Sequence, residues 1–198
     1  MDFTITKGFL QQERAEVAAL YWEAFAQKLH YVLGPRQKAL HFIAAQLQPD
    51  FALVARGAKG TILGVAGFKT SKGALIGGEL PDIARTYGWL STCWRAPLLM
   101  MVERDLADGV LLMDGICVSA QARGMGLGTA LLGAIKNEAA AQGLSAVRLD
   151  VIDSNPRARA LYEREGFEPI GQENLGLLQH IFGFKSSTKM LCPIVPVL

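Results

Sequence analysis

Between Arg123 and Thr129 the chain reads Arg-Gly-Met-Gly-Leu-Gly-Thr, placed after a long apolar strand, Val110 to Val118, and before a stretch carrying Ala130, Leu131, Ala134, Ile135 and Ala139 on one helical face. Strand, glycine-rich loop and helix together hold phosphate. The unpaired amide N–H groups of a helix's first turn and the positive end of its dipole converge on one place. Gly124, Gly126 and Gly128 let that backbone come close to an anion, and Arg123 adds a formal positive charge suited to a pyrophosphate or ribose phosphate. A tight strand-to-helix turn that needs positive φ would ask for the same glycines. Spacing removes three phosphate-binding alternatives. A dinucleotide fingerprint wants Gly-x-Gly-x-x-Gly after an early strand, whereas this loop is Gly-x-Gly-x-Gly and comes late; no Gly-Lys-Ser/Thr occurs; and the partner motifs of kinases are missing.

What remains is Arg123, two residues, Gly126, one residue, Gly128, between Ile116-Cys117-Val118 and Thr129-Ala130-Leu131-Leu132. That pattern resembles the acetyl-CoA-binding motif of the GNAT superfamily of N-acetyltransferases. A second motif agrees. Asn155, Ala158, Leu161-Tyr162 and Gly166-Phe167 are similar to the following helix of that superfamily, in the right order and about 30 residues on. The resemblance covers roughly Val110 to Phe167 and departs at Ala120, where many members carry Pro, a change at the loop entry.

The resemblance implies acetyl-CoA as cosubstrate and no metal. Gly124, Met125, Gly126, Leu127, Gly128 and Thr129 would cradle the pyrophosphate with Arg123 beside them, and the backbone of Ile116, Cys117 and Val118 would pair with the pantetheine arm like an added strand. A β-bulge that splays this strand from the next is expected at Gly115. Asn155 and Tyr162 stand seven residues apart, so they project from one helix face. In the family picture Asn155 bonds the pantetheine and the Tyr162 hydroxyl protonates the leaving thiolate. Read without the resemblance, they are an N-cap and a core tyrosine. Acyl transfer needs a neutral amine, and only about one part in a few thousand of a lysine-like amine is neutral at pH 7, so a base is required. By position in the family it is Asp150 or Asp114, each short enough to act through water. A plain strand-end carboxylate, solvated or paired with Arg148 or Arg157, is the alternative for either. Cys117 invites an acyl-cysteine, but direct attack is the family's usual chemistry, and the residue reads as a small buried hydrophobe.

The elements that must position these residues follow the order βααβββαβαββ, an α/β (α+β) fold with a GNAT-like mixed, mostly antiparallel central sheet flanked by helices. A first strand at Phe3 and Ile5 leads to helices over Gln11–Leu33 and about Pro35–Leu47, then to a hairpin of Phe51–Arg56 and Thr61–Lys69 around Gly57 to Gly60. The segment of about 70–108 reads as an insertion before the fourth strand, helical and tryptophan-bearing up to Glu103. Trp89, Cys93 and Trp94 at helical spacing suggest core or a dimer face, and Glu79 and Asp82 are candidate amine contacts. Strand Ala146–Ile152, a helix capped by Asn155 and Pro156 running to Gly166, and strands Phe167–Gln172 and Phe184–Pro193 complete the chain. His180 falls in the turn before the last strand and His30 and His41 on helices, none in a motif.

Across 198 residues, 20 Lys and Arg face 18 Asp and Glu without a like-charge block, so nucleic acid is not the expected partner. Three scattered cysteines suggest neither a disulfide framework nor a zinc site. Met1 to Phe9 lacks a signal-peptide pattern and no run of 18 apolar residues occurs, so a cytoplasmic protein without membrane contact is expected. The expectation is a single N-acetyltransferase domain over residues 1–198, acting on an amine-bearing small molecule or peptide; dimers are common among similar proteins. The rival is a non-catalytic acyl-CoA-binding sensor, which would keep the phosphate loop and Asn155 without depending on Tyr162, Asp114 or Asp150.

Overall fold

One alternating strand, two nearly continuous apolar runs and a glycine turn build the first half of the sheet. The computed structural model describes residues 2–102 and 104–194. Phe3–Lys7 (β1) lies antiparallel to Ala52–Gly57 (β2), which the glycine turn folds back onto Ile62–Thr70 (β3), with Gly60 at φ 78°. Gly73–Ala74 (β4) adds a short antiparallel pairing to the end of β3. Val110–Val118 (β5) takes the other edge of β3, followed by Ala146–Ile152 (β6), Glu168–Asn174 (β7) and Ser186–Pro193 (β8). The sheet order is β1-β2-β3-β5-β6-β8-β7, and among the described residues β5 with β6 is the parallel pair and every other pairing is antiparallel.

Residue parity sorts side chains onto two faces. On one, Val54, Val65 and Cys117 pack against Val17, Trp22 and Ile43 of helices Arg14–Leu33 (α1) and Arg36–Gln46 (α2). On the other, Ala66, Met113, Val147 and Leu149 pack against Leu131 and Ile135 of a later helix. The insertion supplies Leu80–Tyr87 (α3) and Trp89–Val102 (α4); the later helix is Leu127–Ala141 (α5), and Pro156–Arg164 (α6) and Gln179–Phe182 (α7) follow. The expected element order holds, with β4, α7 and several 3-10 turns added. Glu103, where the sequence reading ends the tryptophan-bearing stretch, lies outside the described residues.

Two expectations for the insertion change. Glu79 is the N-cap of α3 and forms a reciprocal capping box with Asp82, whose other oxygen meets Arg85 at 3.1 Å, so both acids hold a helix start and neither lines the main cleft. Of the two readings of Trp89, Cys93 and Trp94, core or dimer face, the core is excluded, since Trp89 and Trp94 are 68% and 44% exposed and Cys93 is exposed as well.

The feature that positions everything else is the divergence of β5 from β6. They pair only over Val110–Leu112 against Ala146–Arg148. Past that point β5 stays with β3 through Val118 while β6 stays with β8 through Ile152, so a slot opens through the middle of the sheet. The bulge that bends β5 is at Asp114, one residue before the expected place: Gly67 faces Gly115 and Phe68 faces Met113, leaving Asp114 as the extra residue. Gly115 has a different duty. A Cβ there would stand 2.2 Å from Phe25 Cζ, so its bare backbone is what lets α1 lie against the slot.

Candidate active site

A cleft of about 810 Å³ follows the slot, a size suited to a small-molecule or cofactor site. Its outer end is the glycine loop. Gly124 and Gly126 take φ 81° and 80°, the left-handed region that other residues enter at a cost, and Gly126 is the N-cap of α5. The first intrahelical bond runs from Ala130 N–H to the Gly126 carbonyl, so the N–H groups of Leu127, Gly128 and Thr129 precede the helical ladder and face the cleft mouth. Leu127 is buried and fixes that turn to the core, while Met125 sits exposed at the loop tip. Arg123 is exposed and its Nε donates to the Val118 carbonyl at 3.4 Å, which lays the guanidinium along the loop. A Cβ at Gly128 would reach Leu161 Cδ2 at 3.0 Å, so this glycine also admits α6 beside α5.

The inner end is the divergent edge of β5 and the start of α6. From Met113 to Val118 the β6-facing edge of β5 carries no strand partner among the described residues, and Ile116 and Val118 line the cleft. Asn155 caps α6, its side-chain oxygen accepting from Ala158 N–H at 3.1 Å, and lines the cleft as well. Tyr162, two turns on, is buried against Phe167 on the α5 side of the sheet and reaches the same cleft. Burial pushes its phenol up to about 12, with Cys117 adding to the rise and Arg104 opposing it, so the hydroxyl keeps its proton at neutral pH. Cys117 packs into the α1 face as a buried side chain, and burial raises its thiol far above the ordinary range, which makes it inert as a nucleophile.

Asp114 and Asp150 come together on the α1 side of the slot. Arg148, Asp150 and Ile152 alternate with Val147, Leu149 and Val151, and the latter three pack toward α5. Neither acid pairs with Arg148 or Arg157. Instead Arg104, from the connection between α4 and β5, stands between them, its Nη2 3.5 Å from Asp114 Oδ1 and its Nε 3.7 Å from Asp150 Oδ2. The same guanidinium donates to the Met113 and Asp114 carbonyls at 3.3 and 3.1 Å, so it ties the bulge to the neighbouring strand. Burial lifts the Asp114 carboxyl above the usual carboxylate range against the opposing pull of Arg104 and Lys69. Asp150 is 9% exposed at its side chain, and among the described residues its buried Oδ1 has no hydrogen-bond donor. Sequence reading missed Arg104, which lies in no motif, and Lys28 of α1, which lines this end of the cleft and reads in sequence as one more polar residue of an amphipathic helix.

The acetyltransferase (GNAT) family profile matches residues 14–167. The chain belongs to the GNAT family. The match spans α1, the glycine loop and the Asn155-to-Phe167 motif together. This GNAT chain is 35% identical over 91 residues to the mycothiol acetyltransferase of Beutenbergia cavernae, a match to 39% of this chain and only 31% of that curated relative's length. Among solved structures, a GCN5-related N-acetyltransferase from Kribbella flavida aligns with a TM-score of 0.65 at 18% identity, over 96% of this chain and 97% of that one. An N-acetyltransferase from Staphylococcus aureus aligns with a TM-score of 0.65 at 15% identity, over 95% and 99%. At such identities the likeness is one of fold, and the GNAT fold is the splayed, mostly antiparallel sheet described above. Among the described residues no group of His, Cys, Asp or Glu has the arrangement of a metal site, and no helix is long and apolar enough to cross a membrane.

Proposed function

We propose that this protein transfers an acetyl group from acetyl-CoA to a primary amine by direct attack. The observation that carries the reading is the slot between β5 and β6, because its two sides present different chemistry to one cleft. The α5 side carries the glycine-cradled helix N-terminus, Asn155 and Tyr162; the α1 side carries Asp114, Asp150 and Arg104. A diphosphate at the 123–129 loop would leave a pantetheine arm to run along the β6-facing edge of β5, where its two amides meet strand groups that have no strand partner.

In that pose the thioester lies in the slot. The acceptor arrives from the α1 side as an ammonium and loses a proton, directly or through one water, to the Asp114 or Asp150 carboxylate. Burial of Asp114 supports this role by bringing its pKa upward, toward that of the proton it must receive. The neutral nitrogen forms a bond to the thioester carbonyl carbon, the C–S bond breaks, Tyr162 on the opposite side donates its proton to the departing thiolate, and the second proton of the newly bonded nitrogen leaves to water as the amide forms, with water in turn reprotonating Tyr162. Attack and departure on opposite sides of one sheet keep the proton donor and the base from neutralising each other.

The test is release of CoA from acetyl-CoA across small amines, polyamines, aminoglycosides, amino acids and short peptides, with an enzyme-free blank for each. Turnover with one class is expected. Binding of ATP or NAD in place of CoA, read as a rise in melting temperature with those ligands alone, would overturn the reading.

A further inference from the structure

The α1 side of the cleft holds a cation without an ion-pair partner and a carboxylate paired at one oxygen, among the described residues. Lys28 Nζ rests 5.3 Å from the centroid of the Phe184 ring and, among the described residues, has no ion-pair partner. Burial, aided by the Arg104 charge, brings its ammonium down to about 8, so it would gain from an anion. Asp150 is the opposite charge: its side chain is more than nine-tenths buried, one carboxylate oxygen faces Arg104, and among the described residues the other, Oδ1, has no donor, so the protein neutralises this carboxylate from one side. Lys28 and Asp150 line the same cleft and act on each other electrostatically.

Resting on the acetyl-transfer reading above, we infer that the acceptor is an amino-carboxylate zwitterion, its amine donating to the Asp150 carboxylate and its carboxylate received by Lys28. Each end of such a molecule meets the opposite charge in the cleft, its ammonium the Asp150 carboxylate and its carboxylate the Lys28 ammonium. A polyamine would satisfy Asp150 but bring its second ammonium toward Lys28 and Arg104. A neutral amine or an amide would leave Lys28 half-buried and unpaired, and that loss would appear as weaker binding. Holding the amine at Asp150 also sets the nitrogen on the side of the slot from which it must attack, so one contact both selects and orients the acceptor.

The test is kcat/KM for acetylation of the twenty protein amino acids and 4-aminobutyrate, each against its carboxamide and its decarboxylated amine, with spermidine alongside. The expected result is an acceptor preferred at least tenfold over its own carboxamide, with the difference residing in KM. Lys28→Met is expected to abolish that preference and Lys28→Arg to retain it, with acetyl-CoA calorimetry showing that both variants are folded. A carboxamide, a decarboxylated amine or spermidine used as well as the amino acid, or a preference that survives Lys28→Met, would overturn the inference and leave acetyl transfer standing. Turnover of no acceptor would also overturn it, and absence of acetyl-CoA binding in the same preparation would take the underlying reading down as well.

Discussion

Replacing Arg104 by Met removes the one guanidinium that faces both buried aspartates while keeping most of the side-chain volume. At contacts of 3.5 and 3.7 Å and an effective dielectric constant of ~20, each attraction is about 4.5 kcal/mol before desolvation. Arg104 keeps 21% of its side chain exposed, so its own desolvation is incomplete, and the net loss should fall at the lower end of the roughly 3–5 kcal/mol found when one partner of a buried pair is removed. About 3 kcal/mol corresponds to a fall of roughly 6–12 °C in melting temperature for a chain of this size. The deficit must depend on pH, and its sign follows from Asp114. Its folded pKa is raised, and removal of Arg104 raises it further. A carboxyl with a folded pKa above its unfolded value costs stability as pH climbs above the unfolded value, and acid relieves that cost. Urea denaturation of wild type and Arg104→Met at pH 8 and pH 5 is the assay, since carboxylates unaffected by the change cancel in the difference. The deficit should be about 3 kcal/mol at pH 8 and at least a third smaller at pH 5. A deficit below about 1 kcal/mol, within the range of an exposed ion pair, or one equal at the two pH values, would refute the reasoning.

The other perturbations each touch one part of the cleft. Gly126→Glu places a carboxylate at the N-cap of α5 and should abolish acetyl-CoA binding by calorimetry; Gly126→Ala bears the same φ 80° strain, about 1–2 kcal/mol, and should still bind. Tyr162→Phe should bind acetyl-CoA within about twofold of wild type while turnover drops by about a hundredfold or more, and unchanged turnover would remove Tyr162 as the acid. Gly115→Ala drives a Cβ to 2.2 Å from Phe25 Cζ and should cost roughly 1–3 kcal/mol in chemical denaturation; combining it with Phe25→Leu should recover more than half, and strict additivity would show that the contact is not the cause.

What the sequence makes legible depends on how local the determinant is. The strands Val110–Val118 and Ala146–Ile152 match residue for residue, because apolar runs bounded by Gly109 and Gly143 on one side and polar loop residues on the other leave little room for a shift. The Asn155 cap and Pro156 start are local chemistry and hold. The glycine loop is legible for the same reason, with the helix beginning two residues sooner than its Thr129-led apolar pattern suggests. The bulge misses by one residue, because its position is set by a register with β3 that no local pattern records. Glu79 and Asp82 show a signal that was present and could have been read, since an acid three residues before another acid at a Pro-bearing helix start is a capping pattern. Arg104 and Lys28 had no such signal. Each gains meaning only when a connection or a helix face is brought against Asp150, 46 and 122 residues away in the sequence.

The slot also divides the polypeptide. Strands β1 to β5 with α5 belong to the stretch before Gln142, strands β6, β8 and β7 to the stretch after it, and among the described residues the two groups of strands share a backbone ladder of three residue pairs. A break in the exposed turn at Gly143 would therefore cut the molecule along its own seam. The two pieces would meet again through that short ladder, the α5 contacts and the Arg104 bridge to Asp150. A ligand in the slot would touch both pieces at once, so reassembly of a split version should respond to CoA concentration, and the cofactor would act as the mortar of the protein it serves.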